Sequence, residues 1–155
     1  MKGYMDDISS LPAKLKNETI QLNHDQLDTP YRAGGWTVRQ VVNHCADSHM
    51  HCFTRFKLAL TEENPVIKPY EQDPWAELAD STAIAVGPAL LMLDGIHQRW
   101  VFLLETLSDK QLQRTFVHPE HGREIPLIEV VGLYAWHGNH HLAHITNLKS
   151  KRNWH

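Results

Sequence analysis

His137, His140, His141 and His144 fall within eight residues of one another, in a chain where 12 of 155 residues are histidine. Side chains four apart stack on one face of a helix, so 140/144 and 137/141 are each a pair able to grip one ion through their imidazoles. This is the spacing by which a helix donates two zinc ligands. A lone histidine on an apolar face is ordinarily a hydrogen-bonded core residue; four so close together in an otherwise apolar stretch reverse that expectation. His44, His49 and His51 form a second group upstream. A bundle builds metal sites from facing helices, so one of them would close a three-histidine set. Periodicity does not choose among them, although His44 lies beside Val41 and Cys45 and has Asp47 three residues on. Three protein ligands leave a tetrahedral ion one open position, which separates a catalytic zinc site from a structural one. That position takes water, with its pKa lowered toward neutrality, or a substrate thiolate.

Four helical segments must carry these residues. Ile8, Leu11, Leu15 and Leu22 form an apolar stripe, with Pro12 either in the first turn or at a kink. Gly34-Gly35-Trp36-Thr37 announces the second segment, where Thr37 and Gln40 stand in capping-box relation. Val38, Val41, Val42, Cys45, Cys52, Phe53, Phe56 and Leu60 then sustain a stripe over about six turns. Residues 61–88 hold Pro65, Pro69, Pro74 and Pro88 among Tyr70, Trp75 and several acids, and read as a long connection, a lid or a dimer surface. The third helix starts near Pro88 with Leu90, Leu93, His97, Trp100, Leu104 and Leu107, and Ser108 caps a short turn over 109–113. His118 to Arg123 reads as a turn or short hairpin, and Pro126 opens a fourth helix from 127 to about 150 that ends in Lys149, Lys151 and Arg152. Trp36, Trp100 and Trp136 are expected in packing roles. No strand of convincing length is evident. The expectation is an all-α four-helix bundle with one long crossover connection, a single domain over 1–155.

Composition narrows the function. A hydrophobic share of 42% in 155 residues suffices for one buried core. Fifteen basic against 18 acidic residues, a formal charge of −3, give no reason to expect a polyanion partner. No run approaches the roughly 20 apolar residues of a membrane span, and a cytoplasmic location is expected. Cys45 and Cys52 lie about 10 Å apart along a helix, too far for a disulfide, and read as reduced thiols.

The stretch from Gly34 to Met50, the segment Arg55 to Glu63 with Pro65 and Lys68-Pro69-Tyr70, and the run Gly132 to Thr146 resemble the DinB superfamily, in particular its YfiT-like branch. The resemblance extends from about Leu11 to Thr146. It implies a four-helix bundle and a metal-dependent hydrolase, or a transferase using a low-molecular-weight thiol such as bacillithiol. It further implies zinc or nickel as the metal, a homodimer, and ligands at His44, His140 and His144 with water as the fourth. Asp47 and His51 are candidates for hydrogen-bonding behind the ligands or for moving a proton. Arg39 and Arg55 could pair with a carboxylate but read more readily as structural. The rival reading is a metal-binding or sensor bundle without turnover, in which a fourth protein ligand such as His51 or His137 closes the coordination.

Overall fold

The computed structural model describes residues 1–154, which form α1 (Lys2–Thr19), α2 (His24–Leu27), α3 (Val38–Thr61), α4 (Gln72–Ala76), α5 (Ala79–Thr82), α6 (Gly87–Thr106), α7 (Asp109–Leu112), β1 (Thr115–His118), β2 (Arg123–Pro126) and α8 (Leu127–Arg152). The capping box at the head of α3 is present. Thr37 Oγ1 accepts the Gln40 N–H at 3.2 Å, and Gln40 Oε1 accepts the Thr37 N–H at 2.9 Å. The Gln40 amide also donates to the Ala76 carbonyl at 2.8 Å, which ties the connection to the start of the helix. At the far end of α8, Asn153 adopts the left-handed conformation and Trp154 N–H returns to the Lys149 carbonyl, a Schellman-type stop.

Helix α1 starts earlier than its apolar stripe suggests, and Pro12 lies in its interior. Leu22 falls beyond it, just before a short helix that Asn23 and Gln26 cap reciprocally and that periodicity did not announce. The proline-rich connection contains α4 and α5, both too short to leave a periodic signature. Residues 115–126 pair as an antiparallel hairpin, Phe116 opposite Ile125, so the expected turn has two four-residue strands behind it.

The long helices make a four-helix bundle. Helix α1 packs on α8 and α6, and α3 packs on α6 and α8, which gives the order α1, α6, α3, α8 around the bundle. The long connection therefore joins neighbours, while the chain crosses the diagonal from α1 to α3 and again from α6 to α8. Where α1 meets α8 the backbones come close: a Cβ at Gly138 would lie 2.5 Å from Leu11 Cδ2. A glycine there seats α8, and the histidines beside it, against the bundle. No helix among the described residues is long and apolar enough to cross a membrane.

Two apolar clusters fill the interior. One contains Phe56, Trp100, Leu127 and Val131; the other contains Leu15, Val41, Leu93 and Ile145. On α3 the first cluster begins at Cys52 and the second ends at Ala46; on α6 the corresponding residues are Trp100 and Leu93, and on α8 they are Ala135 and Ile145. His49, His97, His137 and His141 lie within the gaps so defined, and His44 precedes the α3 gap, between Val42 and Cys45. A layer of imidazoles thus separates two hydrocarbon blocks. Arg39 is also buried, its charge met by Asp28 at 2.7 Å and its guanidinium donating to the Ile84 carbonyl at 2.6 Å, so its role is structural. Cys45 and Cys52 are free and buried, and burial pushes the Cys45 thiol up to about 12, so it stays protonated.

Candidate metal centre

His44 from α3 meets His137 and His141 from α8, and one ligand-capable atom from each lies within 4.8 Å of the others. His44 Nε2 and His137 Nε2 are 3.2 Å apart. Two nitrogens on one tetrahedral ion at about 2.0–2.1 Å stand about 3.3 Å from each other, so the spacing fits a shared cation. His44 Nδ1 lies 2.9 Å from the Tyr70 hydroxyl, which can accept its proton and leave Nε2 bare. His141 Nδ1 is buried without a hydrogen-bond partner. Such an orphan nitrogen is costly unless an ion satisfies it. No fourth histidine, cysteine or acid completes the group among the described residues. His137 thus stands as one of three residues able to share an ion, and His51 is not in the group.

His140 and His144, expected beside His44, lie outside this group. His140 is exposed and stacks on Trp136 at 4.7 Å, and His144 stacks on Tyr31 at 4.0 Å. The reason is the rotation of α8. Its buried stripe passes through Leu127, Val131, Tyr134, Gly138 and Ile145, a line that His141 extends from Tyr134 by two turns. His140 instead follows Leu133 and Trp136, which are 53% and 58% exposed. The 140/144 pair is offset from 137/141 by about 60° around a helix of 3.6 residues per turn. Trp136, expected in the core, is likewise at the surface, whereas Trp100 is fully buried as expected.

The other candidates are also placed. Asp47 meets His51 only through its backbone carbonyl, 2.8 Å from His51 Nδ1, and the residue behind His44 is Tyr70 instead. His51 stacks on Tyr70 at 4.3 Å and so braces that hydroxyl. Burial first, and Asp80 second, push the Asp47 carboxyl up to about 6. Arg55 donates to the Lys68 carbonyl at 3.3 Å, on the connection that carries Tyr70. Trp36 lies 4.6 Å from His44, at the wall of a cleft of about 750 Å³ lined also by Arg32, Asp73, Glu77 and His141. Sequence reasoning missed Tyr70 as a partner of His44, and only its place in the resembling segment singled it out.

Burial, with His141 second, brings His44 down to about 3; burial, followed by neighbouring histidines, brings His137 to about 3 and His141 to about 2. All three are neutral at pH 7, the form that binds a metal. Their ordinary value is 6.5, so between pH 6.5 and about 3 the unfolded chain holds protons that the folded chain does not. Stability of the metal-free protein must then fall as the pH falls through that window. Thermal midpoints recorded from pH 7 down to pH 4 should decline steadily; a flat profile would contradict neutral buried imidazoles.

The chain belongs to the DinB superfamily, whose profile matches residues 13–145. It is 54% identical over 151 residues, covering 97% of this chain and 86% of the relative, to a protein of Bacillus mycoides (strain KBAB4) named "Putative metal-dependent hydrolase". A protein of Oceanobacillus iheyensis with the same designation is 52% identical, with 97% of this chain and 87% of the relative covered. The solved structure of YfiT from Bacillus subtilis, described as "a probable metal-dependent hydrolase with an unusual four-helix bundle topology", superimposes with a TM-score of 0.95 at 49% identity, covering 98% of this chain and 87% of that one.

Proposed function

We propose that this protein is a metal-dependent hydrolase of a small molecule, with one zinc or nickel ion held by His44, His137 and His141. The observation that carries this reading is the convergence of three imidazoles beside a cleft of about 750 Å³ with no fourth protein ligand among the described residues. The names of its relatives support the same class. A divalent ion there supplies Lewis acidity, polarising a substrate carbonyl and acidifying water at the open position. The chain's own groups do the rest. Tyr70 holds the His44 Nδ1 proton and keeps Nε2 aimed inward. Trp36 walls the cleft, and Arg32 lies where it can pair with a substrate carboxylate. Asp47, poised near neutrality on the Tyr70 side, is the carboxyl best suited to exchange a proton.

The cleft's Arg32 also suits a carboxylate-bearing thiol, which favours thiol transfer as a second reading. One experiment separates the two. The zinc- or nickel-loaded protein is assayed on small esters and amides, and on an electrophile with and without bacillithiol, before and after chelation. Hydrolysis without thiol that disappears on chelation is the expected result. Turnover that requires both thiol and metal would replace hydrolysis with transfer, and a loaded protein inert in every arm would favour a binding or sensor bundle.

A further inference from the structure

Two fully interior histidines, His49 and His97, lie outside the three-histidine group, and their hydrogen bonds have a direction fixed from one end. Pro12 follows Ile8 by four residues within α1, and proline has no N–H, so the Ile8 carbonyl lacks its helical donor. His97 Nδ1 lies 2.5 Å from that oxygen. A carbonyl only accepts, so Nδ1 carries the proton. His97 is 1% exposed and makes no hydrogen bond to a carboxylate, and the Asp94 carboxylate accepts from Gln98. A charged ring without a counter-ion there would cost heavily, so the ring is neutral and its Nε2 is an acceptor.

The polarity then propagates. His49 Nδ1 is 2.7 Å from His97 Nε2 and must be the donor. His49 is itself wholly buried, so its Nε2 is a bare acceptor, and His137 Nδ1 lies 3.2 Å from it. His137 therefore donates through Nδ1 and keeps its lone pair on Nε2, the atom that faces His44. Edge contacts from Trp100 and Tyr134 to His49, at centroid separations of 6.4 and 5.1 Å, hold the middle ring.

We propose that Pro12, His97 and His49 form a positioning relay, anchored on the Ile8 carbonyl, that fixes the tautomer and orientation of His137 so that Nε2 is presented to a divalent cation. The relay rests on the proposed metal centre but reaches 89 residues across the chain, from α6 to α1, to set one ligand. His49 and His97 touch neither substrate nor metal; they act through His137.

The test uses protein labelled with nitrogen-15 in histidine, and zinc as the only added metal. Long-range proton–nitrogen correlation of the metal-free protein should show His97 and His49 protonated at Nδ1 with unprotonated Nε2, and His137 protonated at Nδ1. An Nε2-protonated His97 or His49 overturns the relay. His97→Leu removes both the donor to Ile8 and the acceptor for His49, and should weaken zinc binding about 10- to 100-fold in competition with a chromophoric chelator. His97→Gln retains an N–H for Ile8 and an oxygen for His49, and should restore binding and the His137 tautomer. Equal zinc affinity in the leucine variant and the wild type also overturns the relay. Should His97→Leu fail to fold, the wild-type tautomers and His49→Gln, which preserves the same polarity, decide the matter. Wild-type protein that shows the stated tautomers yet binds no zinc would sink the metal centre, whereas zinc binding with the opposite tautomers would sink the relay alone.

Discussion

Replacing His141 with alanine is expected to weaken zinc binding by roughly 100- to 5000-fold, and His44→Ala and His137→Ala should do the same. The magnitude follows from structural zinc affinities of about 10–16 kcal/mol shared over three or four ligands, hence roughly 3–5 kcal/mol for each. The loss is severe because the remaining two imidazoles stay buried, with no neighbouring acid in the group to replace the third. His140→Ala and His144→Ala should retain the ion, since their rings lie against Trp136 and Tyr31 instead. Metal content after dialysis, measured by emission spectroscopy for the five variants, checks the assignment. A metal-free His140→Ala or His144→Ala protein beside a loaded His141→Ala protein would return the site to the pair that the resemblance implied.

Trp100→Ala should produce the largest loss of stability among single core changes, about 3–5 kcal/mol. The side chain has no solvent exposure and packs edge-on against Phe56 at 5.2 Å, with His97 at 6.0 Å and Tyr134 at 6.1 Å. Its Nε1 has no hydrogen-bond partner, so truncation orphans no polar group and the loss comes from packing. At roughly 2–4 °C for each kcal/mol in a chain of this size, the thermal midpoint should fall by about 6–20 °C. The cavity would open beside His49, so zinc binding should weaken as well. Trp136→Ala is the control: its side chain is largely at the surface, and its change should stay within about 0.5 kcal/mol. A Trp100→Ala midpoint within a degree or two of the wild type would mean that the core closes over the gap.

The bundle's helices were legible because long apolar stripes and caps are local. Thr37 and Gln40 mark the head of α3 by chemistry that needs four residues, and the positive charges at the end of α8 lie within its last turn. The hairpin at 115–126 and the short helix after Asn23 were less legible: elements of four residues complete barely one period. The diagonal steps were not legible at all, since apolar stripes on four helices are satisfied by more than one order around a bundle.

For the site, the sequence alone pairs imidazoles four apart on the last helix and offers His44, His49 and His51 on the second long helix to meet them, while leaving open whether a fourth protein ligand closes the set. The same spacing holds for 137/141 and 140/144, because helical periodicity is unchanged when the helix turns about its own axis. Only packing fixes that rotation. In the tertiary structure the stripe from Leu127 to Ile145 is buried against α1 and α3, which turns His137 and His141 inward and leaves His140 on the exposed side with Trp136. Tyr70 behind His44, and the run from Ile8 through His97 and His49 to His137, join residues 26 to 89 positions apart. Such contacts have no local signature. They exist because two hydrocarbon blocks close over a polar layer, where a buried nitrogen left without a partner is costly.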